Sequence, residues 1–250
     1  MTMSSGEDFE VHATGFSGQR FWQLLRKEWQ DHFSQLNAYV VMTVFLAIVG
    51  YSFTTVLFFQ RSVSVTHAVS QAANLMILII PLLTMRQFSK ERDSGTLELL
   101  YSCGCSELEL FTAKLLALAA LVTIMIVLCL SYPLALAALG QPDFGLVASS
   151  YLGLWMMSVS LVALGLCVAS FIATPLVAAL VSLGLFVGLW MIDVASYLLP
   201  ASLQAAATHL SLDTHLSRFL MGAIYLSDLT FFMLIIVISL ILGVARSSVR

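Results

Sequence analysis

From its amino end the chain opens on a polar, acidic tail and passes, over Gln19 to Gln35, into a pattern that places Phe21, Trp22, Leu25, Trp29 and Phe33 at helical spacing. Arg20, Arg26, Lys27, Glu28 and Asp31 fall between them. This predicts an amphipathic helix in a membrane interface, with aromatic rings toward the acyl chains and these charged residues on the polar side. Long charge-free stretches follow. No Asp, Glu, Lys or Arg occurs between Asp31 and Arg61, Arg61 and Arg86, Lys114 and Asp143, or Asp143 and Asp193. A bilayer core of about 30 Å takes about 20 helical residues to cross, and the last of these stretches is long enough for two crossings. Spans are expected at about 38–59, 65–87, 110–138, 147–172, 175–199 and 225–246. Thr174-Pro175 divides the fourth from the fifth, because proline disfavours helix in the preceding residue and suits a first helical turn. The apolar stretch from Asp228 to Arg246 is short, so the final helix is expected to begin before Asp228 or to rely on Arg246 reaching the interface. Pro81 within the second span predicts a kink.

Composition agrees with this pattern. Of 250 residues, 60% are apolar and 10% charged, against roughly 45–50% and about 25% in soluble domains. The sequence therefore predicts an all-α integral membrane protein. Its organisation is expected to be a disordered polar tail over 1–17, the interfacial helix over 18–35 and a six-span transmembrane domain over 36–250. A net charge of −3 gives no argument for a nucleic-acid partner. Residues 1–20 lack the apolar core of a signal peptide, so the first span is expected to act as its own insertion signal. Cys129 and Cys167 fall in apolar runs and Cys103 and Cys105 in a polar loop, which is no disulfide framework.

Charge position gives the expected orientation. With both termini in the cytosol, Arg20, Arg26, Lys27, Arg86, Lys90, Arg92, Lys114, Arg246 and Arg250 lie inside and only Arg61 and Arg218 outside, as the positive-inside rule favours. Residues 88–110 then form the one substantial cytosolic loop. Residues 200–224, moderately apolar with Asp213, His215 and Arg218 dispersed among them, form the outer segment, where short re-entrant or interfacial helices are expected.

The cytosolic loop is the densest charged region of the chain. Asp93 or Ser94 is suited to cap a short helix from Thr96 to Tyr101, Gly104 to end it, and Ser106 with Glu109 to form a capping box opening the third span. A short helix bearing Leu97, Leu99 and Leu100 among Glu and Thr side chains fits a groove on a soluble partner.

At Glu91-Arg92-Asp93-Ser94-Gly95-Thr96-Leu97-Glu98-Leu99-Leu100 the loop resembles the type 2 ABC transporter permeases, in particular the gliding-motility-associated subgroup related to the nitrous-oxide-reductase maturation permease. The resemblance extends to Leu24 to Glu28, to Pro81-Leu-Leu-Thr-Met-Arg86, to Tyr151-Leu-Gly-Leu and to Leu210 to Leu229; Gly104 stands where the family often carries proline. It implies a permease in which Glu91, Arg92, Gly95, Thr96, Leu97 and Glu98 form a coupling helix resting on a separate ATPase. It also implies a multi-pass protein of the cell (inner) membrane and a second permease chain, identical or different, with export as the expected direction. No cofactor is expected on this chain, ATP and Mg being held by the partner, since no Gly-x-x-x-x-Gly-Lys-Ser/Thr cradle is present.

Other chemistry is weaker. Cys103-Gly-Cys105 suits a soft metal but lacks further Cys or His nearby to complete a site. Asp193 is the only acidic residue between Asp143 and Asp213, and its position near the outer end of the fifth span favours a structural role over proton coupling. His67, Gln71 and Asn74 recur at helical spacing on the second span, suited to a pathway or to interhelical hydrogen bonds, and Gly184 and Gly188 suit a close-packing face. An ion-coupled secondary transporter would show repeats or broken midplane helices, and an intramembrane hydrolase a catalytic constellation. A non-transporting assembly or anchor protein is the remaining alternative.

Overall fold

A computed structural model describes residues 18–34, 36–60, 66–96, 106–139, 143–196, 204 and 208–247. Among them the chain is helical almost throughout, with no strand. The helices are α1 (Gly18–Ser34), α2 (Leu36–Thr55, closing in a π-turn over Val56–Gln60), α3 (Thr66–Thr84), α4 (Ser89–Asp93), α5 (Glu107–Cys129), α6 (Ser131–Leu139), α7 (Phe144–Phe171), α8 (Pro175–Ser196), α9 (Leu212–Leu220) and α10 (Leu226–Ser247). Six segments are long and apolar enough to cross a membrane: Ala38–Phe58, Thr66–Arg92, Glu107–Ala137, Phe144–Phe171, Pro175–Ala195 and Leu226–Ala245. They coincide with the six expected from charge spacing. Helix α1 occupies the amphipathic stretch, while the 1–17 tail lies outside the described residues.

Local chemistry sets the boundaries. Helix α7 stops at Phe171 and α8 starts at Pro175, so Thr174-Pro175 divides the apolar run as its sequence predicts. At the start of α7, Asp143 accepts hydrogen bonds from the Gly145 and Leu146 amides at 2.9 and 3.3 Å, satisfying first-turn donors that have no partner within the helix. The capping box opening α5 is present in full. Glu109 N–H donates to Ser106 Oγ at 3.2 Å and Ser106 N–H donates to Glu109 Oε2 at 3.0 Å. The final helix resolves its shortage of apolar length by starting at Leu226, before Asp228.

Helix α7 is the axis of the bundle, packing against α3, α5, α8, α9 and α10. Two-thirds of its most apolar window is buried, against about a fifth for α2, α8 and α10. Small residues permit this. A Cβ on Gly153 would come within 2.5 Å of the Phe219 Cβ, so glycine there lets α9 lie directly on α7. The outer faces of α2 and α8 carry exposed side chains such as Val44, Tyr51, Leu180 and Val194, as expected of helices bathed in acyl chains or facing another chain.

Helix α9 accounts for part of the segment between the fifth and sixth spans. Ser211 caps it, accepting from the Thr214 amide at 3.3 Å, and Leu212, His215, Leu216 and Phe219 are its buried face. A Cβ on Gly243, near the end of α10, would meet the Phe111 ring in the first turns of α5. The end of α10, the start of α5 and α1 therefore share one end of the bundle, and α9 lies toward the other.

Candidate functional site

The site grows out of the way the second span ends. Past Thr84 the backbone turns through 85–88 and winds on into α4, with the Arg92 amide bonded to the Phe88 carbonyl at 3.1 Å and the Ser94 amide to the Lys90 carbonyl at 3.1 Å. Gly95 stops it. Its φ of 67° is left-handed, a conformation that costs a side-chain-bearing residue and that glycine adopts freely just past a helix end. Ser94 Oγ donates back to the Lys90 carbonyl at 2.9 Å and lies 2.7 Å from Thr96 Oγ1.

Two of the motif residues face inward. Arg92 Nη2 donates to the Ser170 carbonyl at 2.9 Å, one residue before α7 ends, where a cation complements the negative end of the helix dipole. Glu91 is buried, and its Oε1 lies 3.0 Å from Lys114 Nζ and 3.2 Å from Lys27 Nζ. Lys114 also reaches Glu28 Oε1 at 2.9 Å. Its ammonium stands 5.6 Å from the centre of the Phe88 ring, which packs on Phe111 with centroids 6.2 Å apart. Lys114 enters from α5 and is 1% exposed. One buried ammonium thus joins α1, the root of α4 and α5, and the two lysines balance the two carboxylates.

A small apolar contact of Leu24 with Leu110 and Ala113, flanked by Phe21, holds α1 against α5 beside this cluster. The assignment of Glu28 to the polar side of α1 is therefore corrected: it follows Leu24 by one turn and turns inward with it. Burial, with Lys114 opposing, pushes the Glu28 carboxyl above the ordinary carboxylate range.

His32, one turn further along α1, lies among cations. Burial, then Lys114 and Lys90, pushes its imidazole down from 6.5 to about 4. Because the unfolded chain then binds more protons between these values, its contribution to stability is present above pH 6.5 and is lost as pH falls toward 4. Glu28, with its raised carboxyl, acts in the opposite sense, so the comparison with a variant isolates the histidine. The melting temperature of the detergent-solubilised protein is expected to drop less between pH 7 and pH 5 in His32→Gln than in the parent.

Of the coupling residues expected from the motif, Glu91 and Arg92 lie in α4 and Gly95 and Thr96 just past its end, whereas Leu97 and Glu98 lie outside the described residues, as do Cys103 and Cys105. The sequence reading missed Lys27, Glu28 and Lys114 as partners of Glu91. The available signal was a lysine within the first turns of an otherwise apolar span, a position that calls for a buried counter-charge.

A second cluster sits on the other side. Asp228, fully buried in the first turn of α10, has its Oδ1 2.6 Å from His215 Nδ1 and 2.8 Å from Arg218 Nη1. His215 Nε2 lies 3.1 Å from the His209 carbonyl, and its ring stacks on Phe231 at 4.0 Å. Asp193, in α8, is 3.5 Å from Thr214 Oγ1; burial first, and then the nearby Asp193 charge, raise the Asp213 carboxyl above its ordinary range. These contacts pin α9 to α8 and α10. On α3, His67 and Asn74 are exposed and Gln71 half-buried, so this polar stripe faces away from the packed core. Gly184 and Gly188 of α8 likewise have no neighbour within 4 Å of a built Cβ.

A search of curated proteins finds no match. The family model described as ABC-2 family transporter protein matches residues 22–246, a stretch that holds most of α1, the Lys114 cluster and all six apolar crossings. Nearly the whole length of the chain and its six-crossing helical architecture thus place it in one group: it belongs to the ABC-2 transporter family, as a multi-pass membrane permease component that is not itself catalytic.

Proposed function

We propose that the protein is the membrane half of an ATP-driven exporter, coupled through residues 88–110 to a separate ABC ATPase. In this reading ATP-driven closure of the ATPase pushes on the loop, and the spans switch between inward-open and outward-open states. Both termini and the loop lie on the cytosolic side of the cell membrane, and α1 rests in the inner interface.

The single observation that carries this reading is the buried Lys114 joining Glu91 of the loop root to Glu28 of α1 and to α5. A loop hung on flexible chain would dissipate a push, whereas one whose root is ion-paired to two other helices and bonded through Arg92 to the end of α7 passes displacement to several spans together. Membership of the family implies association with ABC ATPase partners. A second permease chain is also part of the proposal. The outward-facing His67, Gln71 and Asn74 stripe of α3 and the open Gly184 and Gly188 face of α8 would be costly against lipid or wasted there, and both find a use where two copies meet around a pathway.

The test is reconstitution of the purified chain with its co-purifying ATPase. Glu98→Lys, by placing a like or unpaired charge in the contact, is expected to lower transport-coupled ATPase activity about tenfold, equivalent to about 1.4 kcal/mol at the contact, with membrane insertion and melting temperature unchanged. Unaltered ATPase activity in that variant would argue that the loop transmits nothing.

A further inference from the structure

Beside the Lys114 cluster lies a half-open cavity of about 520 Å³, within the range of small-ligand sites. Its walls are of two kinds. Ala38 and Val41 of α2 and Leu82 and Leu83 of α3 form an apolar side, and the polar residues of α1 and α4 form the other.

Among the described residues, two buried polar atoms on residues that line this cavity have no hydrogen-bond partner: Glu91 Oε2 and His32 Nε2. Glu91 is 7% exposed, so water outside the fold does not reach it freely, and an unmet carboxylate oxygen at that depth calls for a donor. At the rim the signs reverse. Arg86 and Lys90 line the same cavity, are exposed, and form no ion pair among the described residues. The site therefore presents two acceptor atoms beside the Lys114 ammonium, the exposed cations Arg86 and Lys90 without an ion pair among the described residues, and an apolar wall.

We propose that this cavity seats the headgroup of a glycerophospholipid bearing a primary ammonium, a phosphatidylethanolamine. Its phosphodiester lies on Arg86 and Lys90, its ammonium donates to Glu91 Oε2 and His32 Nε2, and its acyl chains follow Val41 and Leu82. The ammonium is the discriminating part. Phosphatidylcholine brings the same phosphate and charge but no N–H, so it leaves both buried atoms unmet. Phosphatidylglycerol brings hydroxyl donors, whose bonds to a carboxylate lack the second charge that makes an ammonium–carboxylate bond the stronger. Such a lipid would wedge between α1 and the first two spans, next to the loop root. The inference needs only a bilayer around the spans and stands or fails separately from any coupling to an ATPase.

The test uses the full-length chain, with whatever subunits co-purify, in nanodiscs of equal parts phosphatidylethanolamine, phosphatidylglycerol and phosphatidylcholine. After extraction into detergent and washing, the retained lipid is identified by native mass spectrometry. The ethanolamine lipid is expected to be enriched at least about fivefold over the choline lipid, a ratio within reach of one charge-assisted hydrogen bond. Arg86→Gln with Lys90→Gln, both at exposed positions, is expected to bring the ratio near one at an unchanged melting temperature. Equal retention of the two lipids, preference for phosphatidylglycerol, or undiminished enrichment in the double variant would each overturn the proposal. So would displacement of the lipid by millimolar phosphoethanolamine, which would make the ligand a soluble zwitterion.

Discussion

Replacing Lys114 by methionine is expected to destabilise the folded chain by about 3 kcal/mol, the low end of what removing one partner from a buried ion pair costs. The shape is nearly conserved, so the loss comes from charge. Lys114 is the partner within 3.0 Å for both Glu28 and Glu91; Lys27, whose side chain is 43% exposed, is ion-paired among the described residues to Glu91 alone. Glu28 is left buried with its negative charge unanswered. The chain limits the damage by protonating it, and neutralising an ordinary carboxylate at pH 7 costs roughly 3 kcal/mol, which sets the scale. A Lys114→Met, Glu28→Gln double variant is therefore expected to recover most of the loss, because the buried charge has gone with its partner. Thermal melts of the solubilised proteins measure both values. A double variant no better than the single would mean that Lys114 matters for packing alone.

Asp228→Ala is expected to cost about 2–4 kcal/mol, by a related argument at the opposite end. Asp228 takes contacts from both His215 and Arg218. The two partners are not equivalent. Arg218 is 35% exposed at its side chain and is free to turn to water, while His215, at 4%, is held between Phe231 and the bundle. The cost falls on the histidine, and α9 loses its tie to α10. Melting temperature should fall, and limited proteolysis should quicken within 200–224 before it does elsewhere. Arg218→Ala, by contrast, is expected to change the melting temperature little.

The spans were legible in the sequence because each depends on one local property, a run of apolar residues as long as a bilayer is thick. Their edges were legible where a single side chain decides them: Pro175 starting α8, and Ser106 with Glu109 reciprocally capping α5. Tertiary contacts were not, since they join residues far apart in the chain. Lys114 reads as one more basic residue near a span end until α1 folds back to bring Glu28 against it. Glu28 reads as part of a polar face because its neighbours Arg26 and Lys27 are exposed, whereas the Leu24 to Glu28 spacing puts it one turn along a buried line. Asp228 similarly reads as a terminus marker, and nothing local announces His215 as its partner.

Gly95 shows the reverse. Its place in the motif is recognisable from sequence, but the reason for it is visible only in the backbone, where a left-handed residue ends α4 and redirects the chain into the loop. The motif therefore combines two kinds of requirement. Glu91 and Arg92 hold the root of the loop against the bundle, and Gly95 ends the helix just past them.

The central claim is that residues 88–110 rest on a nucleotide-hydrolysing subunit and receive its motion. A photo-activatable amino acid at Leu97, introduced into the full-length chain in native membranes and followed by mass spectrometry of the cross-linked product, tests it most directly. The account predicts a cross-link to an ABC ATPase whose yield changes when ATP is trapped on that subunit. Cross-links to lipid alone, or a purified chain that brings no ATPase with it, would contradict it.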